Sequence, residues 1–165
     1  MSAVPRPENV SIRVATPADI PAIVSLVNRA FEVELFFLNG DRTSRENVTE
    51  MMAKGEYLLA ESEGHMVGTV YFEKRGDRAY FGMLSVEPSL KGIGLGRLLI
   101  ETVEEHARKQ GCQAMDITVV NLRTELPPYY GRFGYEISGE LPPPEHMRTR
   151  SKVPCHLVRM SKSLL

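Results

Sequence analysis

Glu87-Pro88-Ser89-Leu90-Lys91-Gly92-Ile93-Gly94-Leu95-Gly96-Arg97 is the segment whose reading decides the fold. It follows a strand-like run, Tyr80–Val86, and opens the clearest helical pattern in the chain, Arg97–Gln110. Glycine at 92, 94 and 96 lets the backbone approach a ligand closely. The first N–H groups of a helix have no internal partner, and with the helix dipole they favour an anion. Lys91 and Arg97 bracket the loop with positive charge. A P-loop would need Gly-x-x-x-x-Gly-Lys-Ser/Thr, a string the chain lacks. A dinucleotide fingerprint fails as well, because the third glycine position falls on Arg97 or on Leu99. The competing reading is a glycine-rich turn that only packs a helix on a sheet. The strand–loop–helix context and the flanking charges favour a phosphate cradle.

Outward from the loop, Leu99, Val103 and Ala107 form one helical stripe, with Ile100 beside it, and Gly111 stops the helix. Glu104/Arg108 and Glu105/Lys109 read as i,i+4 ion pairs on its outer face. Ala114–Val120 is a β-branched strand, so the crossover from Tyr80–Val86 implies a parallel pair. Upstream, Tyr57–Glu61 and Met66–Glu73 flank Gly64 as a hairpin. Before them come a short strand, Ser11–Ala15, and a helix start at Thr16-Pro17-Ala18-Asp19. That helix carries Ile20, Ile23, Val24, Val27 and Phe31 at helical spacing, and a second helix is expected from a Thr43/Glu46 capping box to Gly55. Downstream, Leu126–Phe133 reads as a short helix starting at Pro127-Pro128, and Tyr135–Ser138 and Cys155–Met160 as late strands. Pro142-Pro143-Pro144 reads as a stiff connector, and residues 1–10 as a loose arm. The order is β-α-α-β-β-β-α-β-α-β-β. It predicts an α/β (α+β) fold with a mixed, mostly antiparallel sheet flanked by helices.

With 165 residues, one domain spanning the chain is expected. A net charge of −1 gives no bulk attraction to nucleic acid or anionic lipid. Residues 139–165 do hold five Lys/Arg against two acids, but these are not interleaved with aromatics, as a nucleic-acid surface requires. Cys112 and Cys155 make neither a disulfide framework nor a metal spacing, and the four histidines lack ligand spacing, so no metal is expected. No apolar run approaches membrane-spanning length, and Met1–Val10 has no apolar signal region. The chain reads as cytoplasmic, with no membrane partner.

Lys91-Gly92-Ile93-Gly94-Leu95-Gly96 resembles the acyl-CoA-binding loop of the GCN5-related N-acetyltransferase (GNAT) superfamily. That pattern is Gln or Arg, two residues, Gly, one residue, then Gly or Ala. Gly94 and Gly96 match, and Lys91 departs, keeping the charge but not the side-chain geometry. Arg13-Val14-Ala15-Thr16-Pro17-Ala18-Asp19 resembles the family's opening, and Tyr130-Gly131-Arg132-Phe133-Gly134-Tyr135 its late Tyr-x-x-x-Gly-Phe motif. The resemblance runs from Ile12 to about Leu157. It implies an acetyl-CoA-dependent transfer to a primary amine, in a V opened between Tyr80–Val86 and Ala114–Val120. The pantetheine arm would lie along Leu84, Ser85 and Val86, and the pyrophosphate on the main chain of Gly92, Ile93, Gly94, Leu95, Gly96 and Arg97, with Lys91 beside it in the cofactor site. A backbone N–H near Leu84 would serve as the oxyanion donor. Homodimers through the late strands are common in the family, so a homodimer is compatible with the resemblance.

Amine acetylation also needs a proton for the leaving thiolate and a base for the amine. Tyr130 is the candidate general acid; the competing role is an aromatic wall. Glu87 and Glu73, each ending a strand, are candidate bases, and either is equally readable as a solvated charge. His146 in the late loop is a third candidate and would sit at the acceptor mouth. Asn121 follows the second strand of the V, where it would touch the cofactor or shape a turn. Acceptor recognition is expected from Phe31–Arg45 and Pro142–Lys152. There Phe36, Phe37 and Tyr129 would line an apolar wall or pack in the core, and Arg42, Arg148 and Arg150 would hold a carboxylate or phosphate. The acceptor is a small-molecule or protein amine. A non-catalytic CoA-binding or sensing domain is the alternative.

Overall fold

The protein is described by a computed structural model over residues 9–165, so most of the expected N-terminal arm lies outside the described residues. The chain runs β1 (Ser11–Val14), α1 (Ile20–Ala30), α2 (Arg45–Lys54), β2 (Glu56–Ser62), β3 (His65–Arg75) and β4 (Arg78–Val86). It continues with α3 (Leu95–Lys109), β5 (Ala114–Val120), α4 (Leu126–Gly131), β6 (Glu136–Leu141), α5 (Glu145–Arg150) and β7 (Leu157–Ser163). Seven strands form one sheet in the order β1-β2-β3-β4-β5-β7-β6. Only β4 and β5 run parallel, as the α3 crossover requires. This is the mixed, mostly antiparallel sheet expected from the sequence.

Helices cover both faces. Leu99, Ile100, Val103 and Ala107 of α3 are fully buried against Val70, Phe72, Phe81, Met115 and Ile117. On the opposite face Ile23 and Val27 of α1 and Val48 of α2 pack on Tyr57, Leu59 and Tyr71. The two apolar stripes read from the sequence are therefore the two halves of the core. Truncating a residue such as Leu99 to Ala would cost about 2–5 kcal/mol, as buried Leu→Ala changes do.

Three local expectations differ from the structure. The α2 cap is Ser44 rather than Thr43: Asn47 N–H donates to Ser44 Oγ at 3.1 Å, while Thr43 Oγ1 donates to Asn47 Oδ1 at 2.6 Å. Glu104 does not pair with Arg108. It is buried, 4% exposed, and accepts from Tyr135 Oη at 2.7 Å and Lys162 Nζ at 3.0 Å. Those partners lie 31 and 58 residues away, beyond the reach of a helical-spacing argument. The stretch after the three prolines folds into α5, whose Met147 is buried against Phe37, Leu38 and Val120.

What positions the site is a divergence within the sheet. β4 and β5 pair only from Arg78 to Tyr80, opposite Ala114 to Asp116. That closed end is clamped by Arg78, whose Nη2 and Nε donate to the two Asp116 oxygens at 2.6 and 2.8 Å. Ser161 Oγ on β7 donates to the same carboxylate at 2.6 Å. Farther along β4 lies a bulge: Met83 and Leu84 together oppose Val70, between the pairs Tyr71–Gly82 and Thr69–Ser85. Met83 takes the left-handed conformation, φ 54°, uncommon for a residue with a side chain. Past Tyr80 β4 and β5 no longer pair, leaving an open edge on each. Among the described residues no helix is long and apolar enough to cross a membrane.

Candidate active site

The opening between β4 and β5 leads into a cleft of about 730 Å³. Leu84 and Val86 form one wall, the loop from Leu90 to Arg97 the floor, and α4 with Tyr129, Tyr130 and Phe133 the other wall. Ala30 and Phe31, at the end of α1, close one side.

The loop's glycines have a geometric function. Gly92 and Gly94 both have positive φ, 89° and 92°, which side chains disfavour. Gly94 is the N-cap of α3 and has no side chain to cap it, so the N–H groups of the first turn keep their free capacity. A Cβ on Gly96 would collide with Tyr129 Oη, so a side chain there would push the Tyr129 ring aside. Lys91, Arg97 and Arg132 add positive charge to the cleft. Arg97 lies over the Phe133 ring at 5.2 Å and Arg132 over Tyr129 at 5.6 Å.

Alternation along β4 decides which main-chain groups face the cleft. Glu87 N–H donates to Val67 O of β3 at 2.9 Å. Successive residues of a strand aim their backbone groups to opposite sides. Ser85 therefore faces β3, and the N–H and C=O of Leu84 and Val86 face the opening. The Ser85 side chain is buried and donates to Met83 O at 2.9 Å, so Ser85 does not join the cleft. Ile93 does not line it either; its side chain packs against the core around α3.

Tyr130 projects from α4 into the base of the cleft, between Phe81 and Tyr129, with ring centroids at 6.0 and 5.1 Å. The hydroxyls of Tyr57, Tyr71 and Tyr135 each contact a protein partner, whereas Tyr130 Oη has none among the described residues. Burial, reinforced by Tyr129, holds the Tyr130 phenol well above its ordinary pKa, with Arg123 opposing. The group is protonated at every physiological pH.

The other expected site residues are dispersed. Glu73 pairs in register with Tyr80, near the β3–β4 turn and about 16 Å along the strand from the Val86 end. Partial burial pushes its carboxyl up, but hydrogen bonds from Arg75 and Tyr71 overcome that and set it below the ordinary carboxylate value. A carboxylate so stabilised is a poor base. Glu87 lies just past the cleft wall and is held by Arg29 of α1 at 2.7 Å. Asn121 Oδ1 accepts from His156 N–H at 2.8 Å, fastening β5 to the start of β7, so its carbonyl is occupied away from the cleft. Phe37 is 1% exposed and belongs to the core under α5, whereas Phe36 is 63% exposed. Phe37 is thus unavailable as a wall. His146 stands on α5, where loss of hydration and the neighbouring Arg42 and Arg150 hold its pKa below the ordinary value.

Arg123 lines the cleft and is absent from the sequence expectations. Its Nη1 donates to the buried Glu34 at 2.8 Å, and its Nε to Glu125 at 3.0 Å. The Glu34 pair ties the segment after α1 to the approach of α4, across 89 residues. Nothing local in the sequence marks that contact.

The chain matches the profile of the acetyltransferase (GNAT) family over residues 21–135, and it belongs to that family. Solved structures share the fold. The ribosomal-protein-S18-alanine N-acetyltransferase of Escherichia coli superposes with a TM-score of 0.74 at 16% identity, covering 94% of both chains. The ribosomal-protein-alanine N-acetyltransferase of Brucella melitensis gives 0.72 at 24% identity, over 93% of this chain and 99% of the other. The yncA protein of Salmonella typhimurium, solved with its cofactor acetyl-CoA, gives 0.71 at 20% identity, over 95% of each chain. At these identities the likeness is one of fold.

Proposed function

We propose that this protein transfers an acetyl group from acetyl-CoA to a primary amine by direct attack. The observation that carries the reading is the cleft itself: an unpaired β4 edge beside an uncapped helix N-terminus, with a partnerless phenol opposite. This arrangement fits a long, thin donor with a pyrophosphate at one end and a thioester at the other. The main chain of Leu84 and Val86 would hold the amide-bearing arm, and the N–H groups of Gly94, Leu95, Gly96 and Arg97 the pyrophosphate. Lys91 and Arg132 would add charge. Acetyl-CoA, when bound, supplies the activated acyl group.

An N–H at the β4 bulge, beside Leu84, would donate to the acyl oxygen as negative charge develops there. Tyr130 holds a proton at Oη and would give it to the departing sulfur. Donation from a phenol raised above pKa ~10 to a thiolate of ~8.5 costs more than about 2 kcal/mol, and the nearby Arg123 reduces that cost. Neither Glu73 nor Glu87 is free to act as the base, because each carboxylate is already paired. The amine would then lose its proton to water.

The acceptor mouth would lie between the segment after α1 and α5, where Phe31 and Phe36 stand, and a small-molecule amine is favoured slightly over a protein amine as its occupant. The alternative, a CoA-binding domain without catalysis, has no feature in its favour that the enzyme reading lacks. The test is thiol release from acetyl-CoA over a panel of amines, by wild type and Tyr130→Phe. Acceptor-dependent release by wild type, lost in the variant, supports the reading. Binding of acetyl-CoA without release for any amine would favour the non-catalytic alternative.

A further inference from the structure

Two segments distant in sequence build the rim of the cleft beyond Phe31. Leu38 bridges to Ser151, Asn39 N–H donates to Arg150 O at 3.0 Å, and Lys152 N–H donates to Phe37 O at 2.7 Å. The segment between α1 and α2 is thereby laced to the end of α5. The lacing brings Arg42, His146, Arg148, Arg150 and Lys152 to one rim.

These cations lack acidic partners. None of the ion pairs among the described residues involves Arg42, Arg148, Arg150 or Lys152. Glu34, the buried acid of the rim, is taken by Arg123. Arg150 is fixed in place: its Nη1 donates to Asp41 O at 2.7 Å. Its Nε, however, is sealed from solvent and has no hydrogen-bond partner. Its Nη2 makes no hydrogen bond among the described residues and is not sealed, which leaves it as the donor a ligand reaches. Arg42 lies 5.2 Å from the centre of the Phe31 ring, and Phe31 lines the cleft. One aromatic ring therefore separates the guanidinium from the cleft. Loss of hydration, and after it Arg42 and Arg150, disfavour protonation of His146, so positive charge gathers at this rim.

We propose that Arg42 and Arg150, with His146 at their edge, form an oxyanion-binding subsite of the acceptor mouth, and that the acceptor is a small amine carrying a carboxylate or a phosphate. The acceptor clause rests on the acyl-transfer reading of the cleft; the anion site itself does not. Arg150 Nη1 on the Asp41 carbonyl holds that guanidinium beside the Arg42 backbone, and two guanidiniums at one rim suit a planar or tetrahedral oxyanion. A neutral amine would leave the Arg42 guanidinium and Arg150 Nη2 unpaired and lose that discrimination.

The test uses the full chain in the presence of CoA, which occupies the glycine loop. Inorganic phosphate and, separately, propionate are titrated while the Arg Nε–H signals and the His146 ring are followed by NMR. Saturable shifts at Arg42 and Arg150, with the His146 pKa rising, are expected, and the anion that binds more tightly identifies the acceptor's group. Arg42→Gln should weaken that anion by about tenfold or more, as loss of a charge-assisted pair does. Arg42 makes no hydrogen bond among the described residues, so this variant keeps the fold. Absence of saturable shifts with both anions would overturn the proposal, as would unchanged affinity in Arg42→Gln. Phosphate that lands on the glycine loop instead reports at Arg97 and counts against the rim. Acetyl-CoA binding is measured by calorimetry on the same samples. Its failure would overturn the reading of the cleft, an outcome distinct from any loss at Arg42 and Arg150.

Discussion

The glycine-loop wall of the cleft and the rim that faces it are built from different material. The wall is main chain: the bared edge of β4 at Leu84 and Val86 and the first turn of α3 after Gly94. The rim is side chains on two irregular segments, joined by contacts such as Leu38 with Ser151. A wall made of backbone leaves a trace in sequence, because only glycine permits the conformation. A rim made of side chains leaves little, since arginines and aromatics in loops are common and their convergence is tertiary.

If the difference is real, changes on the two sides should act on different quantities. The largest effect is expected where the two meet. Tyr130→Phe should lower kcat by about a hundredfold or more, within the span general acids contribute, while acetyl-CoA affinity stays unchanged. An equal loss of affinity would make Tyr130 a wall residue rather than an acid. On the wall, Gly94→Val forces a β-branched residue to a φ of 92°. The left-handed conformation costs about 1–2 kcal/mol for a side-chain-bearing residue, and in calorimetry acetyl-CoA affinity should fall about tenfold or more. On the rim, Phe36→Ser removes an exposed ring, so the acceptor KM should rise several-fold with acetyl-CoA affinity unaltered. A change in acetyl-CoA affinity there would erase the division.

The smallest effect lies in neither region and gives a baseline. Hydrogen bonds from Arg13 to Asp19 at the entry to α1 hold that carboxyl at about 2, against an ordinary 3.8. A depressed carboxyl stabilises the fold above its unfolded pKa and loses that stabilisation as pH falls through the folded one. The loss should therefore appear between about pH 4 and 2, and Arg13→Gln should flatten that part of the stability profile, as read by thermal unfolding across pH. The pair is exposed, so the effect should be slight.

Legibility in the sequence followed the same division. Leu99, Ile100, Val103 and Ala107 announce the buried face of α3 by spacing alone, and all four are fully buried. The hairpin around Gly64 and the parallel crossover are equally local inferences. The splay itself left no local mark; it depends on the Arg78–Asp116 clamp and on the bulge at Met83, each a relation between strands. Glu104 shows the limit within one helix: its spacing suggests a surface pair, but Tyr135 and Lys162 claim it. Of the expected cofactor positions, Leu84, Val86, Lys91, Gly92, Gly94, Leu95, Gly96, Arg97 and Tyr130 line one cleft. Ser85 is absent because strand alternation, which cannot be counted through an unseen bulge, turns it toward β3. Asn121 is absent because its carbonyl serves β7. On the rim, Phe37 takes the core alternative open to it, while Arg123 and Glu34 carry no local mark.

The most direct test of the central claim is a titration of acetyl-CoA into 15N-labelled protein, followed at the backbone amides. Saturable shifts are expected at Leu84, Val86, Gly92 and Gly94 through Arg97, with Phe36, Arg148 and Lys152 nearly still. Shifts confined to the rim, or no saturable shift at all, would contradict it.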